Sequence, residues 1–116
     1  MELPWPPALN AYYRNVEGRV LISAKGREFR AAVLSCPDVW KAARWPEGRL
    51  AVSITALPPD RRRRDLDGML KAVLDALTHA GIYGDDSQID RLLIERGPVT
   101  PGGSLRVTIT PLPGAV

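Results

Sequence analysis

Apolar side chains at Leu66, Met69, Leu70, Val73, Leu74 and Leu77 follow the i, i+3, i+4, i+7, i+8, i+11 spacing of a helix with one buried stripe. Gly81 is placed to cap its C-terminal end. Just upstream the period changes to two. Leu50, Val52, Ile54 and Ala56 alternate with Ala51, Ser53 and Thr55, which predicts a strand over 49–57, stopped by Pro58-Pro59. Residues 89–96 and 105–110 read as two further strands, joined by a turn over 98–103. In the first third, a proline-broken extended segment over 1–8 leads into a hairpin of 11–16 and 19–22 around Glu17-Gly18. Ser23 then stands as the N-cap of a helix over 25–34, with Phe29, Ala32 and Val33 on its apolar side and Pro37 as its stop. Residues 37–48 read as a loop. Together these elements predict an α+β fold: a small mixed sheet with two main helices in a single domain over 1–116.

Composition agrees with a folded domain. A chain of 116 residues that is 45% hydrophobic and 25% charged has enough apolar material for one core, and is small enough that self-association helps it bury surface. The net charge is only +3, but the cations are thirteen arginines and three lysines, a bias that suits forked binding of phosphate and also fits a GC-rich genome. A lone cysteine, Cys36, excludes an internal disulfide, and with His79 as the one histidine there is no zinc cage of thiolates and imidazoles. No apolar run approaches the roughly 18 residues of a membrane span, and the opening Met-Glu-Leu-Pro-Trp-Pro-Pro lacks signal-peptide form. A reducing cytoplasm, away from any membrane, is the expected location.

The chemistry concentrates in Asp60-Arg61-Arg62-Arg63-Arg64-Asp65-Leu66-Asp67, with Lys71 four residues on and Asp85-Asp86 beyond the helix. Four consecutive arginines attract a phosphate backbone, whereas acids set against that backbone repel it unless a divalent cation lies between them. The combination points to metal-dependent phosphodiester hydrolysis. Each acid also has a plainer reading. Asp65 suits the N-cap of the helix; Asp67, Lys71 and Asp75 form the i, i+4 ladder of an ordinary solvated face; Gly84-Asp85-Asp86-Ser87 suits an exposed turn. The strand over 49–57 delivers the run to a helix N-terminus, which already favours phosphate. The helix then carries the chain about 22 Å away, so a returning segment, for which the strand beginning at Ile89 is the candidate, must bring Asp85 and Asp86 back.

Other residues carry less. Tyr12 and Tyr13, beside Arg14, suit stacking on unpaired bases, although alternation puts at least one of them in the core. Trp5, Trp40 and Trp45 read as packing residues, and His79, near a helix C-terminus, as structural. Gly81-Ile82-Tyr83 has no Tyr-Ile-Gly partner, so its likeness to the GIY-YIG nucleases is accidental.

Leu3-Pro4-Trp5-Pro6-Pro7, Tyr12-Tyr13-Arg14, the run 60–67, Lys71, Asp75-Ala76-Leu77, Gly81, Asp85-Asp86 and Gly102-Gly103 together resemble the RusA family of Holliday junction resolvases, over nearly the whole chain. Residues 8–11 depart from it, lacking the fuller asparagine-rich segment of relatives. The resemblance implies a RusA-like resolvase fold and a homodimer that nicks four-way junction DNA symmetrically with Mg²⁺, for which Mn²⁺ substitutes. It also implies Asp65, Asp67 and Asp86 as metal ligands, catalytic together with Lys71. Arg14, Arg61, Arg62, Arg63, Arg64 and Lys71 are the expected DNA contacts, and the N-terminal strand or hairpin, with Leu3, Val20 and Ile22, the expected subunit contact. A non-catalytic branched-DNA-binding module and a less selective branched-DNA nuclease are the competing readings.

Overall fold

The computed structural model describes residues 1–113. Its centre is a four-stranded mixed sheet built from β1 (Glu2–Pro4), β4 (Leu50–Leu57), β5 (Ile89–Arg96) and β6 (Ser104–Pro111), in the order β1-β6-β4-β5. β4 pairs in parallel with β5, and parallel neighbours need a crossover, which α4 (Asp67–His79) supplies. β6 returns antiparallel beside β4, and β1 closes the far edge. Along β4 the alternation is physical: Leu50, Val52, Ile54 and Ala56 are buried, whereas Ala51, Ser53 and Thr55 lie half-open on the other face.

Helix α2 (Ala24–Leu34) packs with α4, and both contribute to the core under the buried face of the sheet. The Ser23 side chain accepts from the Gly26 amide at 3.0 Å, making it the N-cap that its residue type predicts. The innermost residues of α4 are Met69, Ala72, Val73, Ala76 and Leu77, with Leu66, Leu70 and Leu74 flanking them. The stripe is therefore centred on small alanines at the closest approach, one step round from the leucine-rich line read from periodicity. At the far end Gly81 takes φ 77°, and the Ile82 amide donates back to the Leu77 carbonyl at 3.1 Å.

The hairpin forms a separate two-stranded ribbon, β2 (Tyr13–Val16) and β3 (Arg19–Ile22). Glu17 and Gly18 at φ 52° and 77° make the two-residue turn whose twist matches the strands. Four expectations are corrected. Residues 9–12 form a short helix, α1 (Leu9–Tyr12), so the first hairpin strand begins only at Tyr13; burial of Tyr12 in the core fixes that turn. Within the expected loop, Pro37 opens the helix α3 (Pro37–Lys41), since proline is tolerated in a first turn. Trp40 on α3 is 75% exposed rather than packed, its indole N–H donating to the Leu34 carbonyl. Leu3, expected at a subunit contact, lies in this chain's own core at 2% exposure because β1 pairs with β6.

Candidate active site

The link from β4 to α4 is organised by Asp60. Its carboxylate accepts from the Arg62 amide at 2.8 Å and pairs with the Arg64 guanidinium at 2.8 Å, while Arg64 also reaches the Asp60 and Arg62 carbonyls. The Arg64 guanidinium, followed by the Arg62 amide, holds the Asp60 carboxyl below the usual carboxylate range. Arg64 further stacks over Trp5, 5.5 Å from the ring centroid, and its carbonyl accepts from Arg96 at 2.6 Å. The fourth arginine is thus a brace, and the turn it closes leaves Arg61, Arg62 and Arg63 exposed to solvent. Arg14 is exposed on β2, in the separate ribbon.

Helix α4 begins at Asp67. Leu66 takes the cap position with helical φ −64° and ψ −40°, and no side chain caps the first turn. This corrects the capping expectation for Asp65, whose carboxylate is exposed and takes no part in starting the helix. Lys71 stands one turn above Asp67 on the same line, also exposed and in no salt bridge among the described residues. The return of Asp85 and Asp86 is made earlier than expected, by residues 80–85 rather than by the strand at Ile89. After Gly81 the chain doubles back along α4, with the Tyr83 hydroxyl donating to the Leu74 carbonyl at 2.7 Å. Burial raises the Tyr83 pKa, and the negative charge of Asp86 adds to it; the short turn Asp86–Gln88 packs against α4. The Asp85 carboxyl is held low chiefly by hydrogen bonds from Ser87, with a smaller share from the Lys71 charge.

Gln88 fixes this turn, and sequence reasoning missed it. It is a buried polar residue, and its side-chain oxygen accepts from the Gly84 and Asp85 amides at 2.8 and 2.9 Å. Its amide donates to the Trp45 and Gly48 carbonyls, both at 3.0 Å. The Asp85 side chain in turn accepts from the Ser87 amide, completing a capping box around a 3-10 turn, Asp86–Gln88. The spacing Asp85-x-x-Gln88 was the available signal.

Of the eight aspartates in the chain, five are engaged by the fold. Asp38 accepts from the Glu2 amide, Asp60 pairs with Arg64, Asp75 with Arg30 and Tyr12, Asp90 with Arg49, and Asp85 caps its turn. Asp65, Asp67 and Asp86 alone have neither a salt bridge nor a side-chain hydrogen bond among the described residues. Hard carboxylate oxygens without cationic partners are the donor chemistry that a small divalent ion selects. The three carboxylates stand apart, as unneutralised like charges do, and among the described residues no three Asp, Glu, His or Cys side chains converge into a cage.

The sequence that builds this fold matches a known protein family. The family model described as endodeoxyribonuclease RusA matches residues 4–110. The chain is 43% identical over 110 residues to the crossover junction endodeoxyribonuclease of Enterobacteria phage HK97, covering 95% of this chain and 92% of that one. Against the corresponding proteins of Shigella sonnei and Escherichia coli K12, identity is 45% and 44% over 111 residues, covering 93% of this chain and 90% of each relative. These matches define a small endodeoxyribonuclease. The chain belongs to the RusA family.

Proposed function

We propose that this chain is a divalent-metal-dependent endonuclease that resolves four-way DNA junctions by paired, symmetric nicks. One observation carries the reading. The three aspartates that the fold leaves unengaged are Asp65 and Asp67 at the start of α4 and Asp86 on the turn packed against that helix, with an unpaired lysine on α4 and three exposed arginines just before it. Acids used for architecture acquire partners; these have none.

Asp65, Asp67 and Asp86 would hold Mg²⁺, or Mn²⁺ in its place. When bound, the ion supplies Lewis-acid chemistry at the scissile phosphate. Arg61, Arg62 and Arg63 grip the flanking backbone, and Arg14 offers a further contact from the ribbon. Lys71, one turn from Asp67, stabilises the extra negative charge of the transition state or assists the departing 3′ oxygen. Cleavage of a four-way junction, a fork and a linear duplex, each with and without Mg²⁺, tests the reading. Metal-dependent paired nicking of the junction in preference to the others is expected. Binding with no cleavage in Mg²⁺ or Mn²⁺ would reduce the protein to a DNA-binding module, and equal cleavage of all three would make it a general branched-DNA nuclease. No helix among the described residues is long and apolar enough to cross a membrane, and a lone thiol suits the cytoplasm, where the DNA lies.

Paired nicking calls for a two-fold dimer, and β5 is the strand best suited to make it. It is an edge strand with Leu92 and Leu93 exposed at 40% and 51%. Laid antiparallel on a second copy about Leu93, it sets Arg91 opposite Glu95 twice and Leu92 opposite Ile94 twice. The two-fold axis is then normal to the sheet. Both helix layers fall on one side, and both acid groups face the same DNA.

A further inference from the structure

A cavity of about 540 Å³ opens directly beside Asp65, between residues 5–10, which run into α1, and the first turn of α4. Its apolar lining includes Trp5, Leu9 and Met69, and its polar lining residues are Asn10, Arg63, Arg64 and Asp65. Leu9 is 46% exposed there, an apolar side chain that this chain does not cover. Gly68 forms part of the lining, and a Cβ built on it meets no atom within 4 Å, so the space beside it is open.

We propose that this cavity takes the unstacked base next to the scissile phosphate. The inference rests on the reading of the chain as a junction endonuclease, and adds to it where the neighbouring nucleotide goes. Asp65 belongs to both the cavity and the acid group, so a phosphodiester held at Asp65 and Asp67 has its own flanking nucleotide at the cavity mouth. Phosphate and sugar gain nothing from an indole, a leucine and a thioether, whereas the flat face of a base does. Asn10 presents one donor and one acceptor to a base edge, and Arg63 offers charge for the attached phosphate. Bases at the centre of a four-way junction have lost a stacking neighbour, so extruding one there costs less than within a duplex.

The test compares wild type, Asn10→Ala and Gly68→Phe on junctions that carry each of the four bases, or an abasic nucleotide, beside the cut. Cleavage rate and junction affinity are both measured. Wild type is expected to discriminate among the bases, and Asn10→Ala to flatten that discrimination. Gly68→Phe, which adds a ring to the cavity lining, is expected to slow cleavage of junctions with a base by about tenfold or more, with affinity little changed and most of the deficit removed on the abasic junction. If Gly68→Phe fails to fold, the exposed Asn10→Ala decides alone. Wild-type rates and base preference in both variants would overturn the cavity's assignment while leaving the endonuclease reading in place. Failure of wild type to cut any junction would overturn that reading and the cavity's role with it.

Discussion

The Tyr12 hydroxyl donates to the Asp75 carboxylate, joining residues 63 positions apart, and Arg30 completes the group by donating to both. The three side chains bind α1, α2 and α4 into one layer under the sheet. Burial raises the Tyr12 pKa, with the Asp75 contact adding to the effect. Burial would also raise Asp75, but the hydrogen bonds from Tyr12 and Arg30 outweigh it and hold the carboxyl below its ordinary value.

A carboxyl depressed in the folded state stabilises the protein above its unfolded pKa of about 4, and that contribution is lost as pH falls through the lower folded value. Denaturant midpoints of wild type should therefore decline on the acid side of about pH 4, and those of Asp75→Asn should start lower and decline less. Tyr12→Phe should cost about 1–3 kcal/mol at neutral pH, since it removes a partly buried hydrogen bond to a charge. Matching acid limbs for wild type and Asp75→Asn would show that the carboxylate does not titrate with folding.

Asp67→Asn should abolish cleavage while junction binding is retained or improved, because an unpaired anion leaves the DNA surface and the arginines are untouched. Gel-shift titration beside a cleavage time course measures both, and near wild-type cutting in Mg²⁺ would remove Asp67 from the site.

Lys71→Ala should slow cleavage by about 10²–10³-fold with a much smaller loss of affinity, the pattern of a group that acts on transition-state charge. Proportional losses of rate and affinity would make Lys71 an ordinary backbone contact.

The arginines should divide. Replacing Arg61, Arg62 and Arg63 together by glutamine should flatten the dependence of log affinity on log salt by about 0.9 for each phosphate no longer neutralised, with thermal stability unchanged. Arg64→Gln should lower thermal stability instead, because it releases Asp60 and Trp5. An unchanged salt slope in the triple variant would turn the run away from DNA.

Arg91→Glu should separate the dimer, and adding Glu95→Arg should restore it, because the exchange recreates both cross-axis pairs. Sedimentation reads the outcome, and three indistinguishable variants would move the interface off β5. Dimers of one wild-type and one Asp67→Asn subunit should give mainly single nicks.

What could be read from the residue order was whatever depended on neighbours within a turn or two. The period along α4, the alternation in β4, the Ser23 cap and the Glu17-Gly18 turn are local, and each formed. Helix α1 was hidden because its four residues are held by the burial of Tyr12 against distant elements rather than by their own propensity. Helix α3 escaped notice although Pro37 and Asp38 are a first-turn pair, since a proline placed there serves equally as the stop of the helix before it. At the site, the acids and Lys71 stood out by composition and spacing. Which of them were engaged did not, because the partners lie far along the chain: Arg30 for Asp75, Arg49 for Asp90.

Gln88 turns an oxygen toward two amides and an amide toward two carbonyls. Glutamate, nearly the same shape, would present a second oxygen to the Trp45 and Gly48 carbonyls; lysine and arginine would offer donors to the Gly84 and Asp85 amides, which already donate; asparagine has the right polarity but is a methylene short. The position therefore has an alphabet of one letter. Asp86, whose side chain makes no bond of its own, thus owes its location to a neutral neighbour, and a survey of substitutions scored only for charge or size would pass over the residue on which the turn's geometry depends.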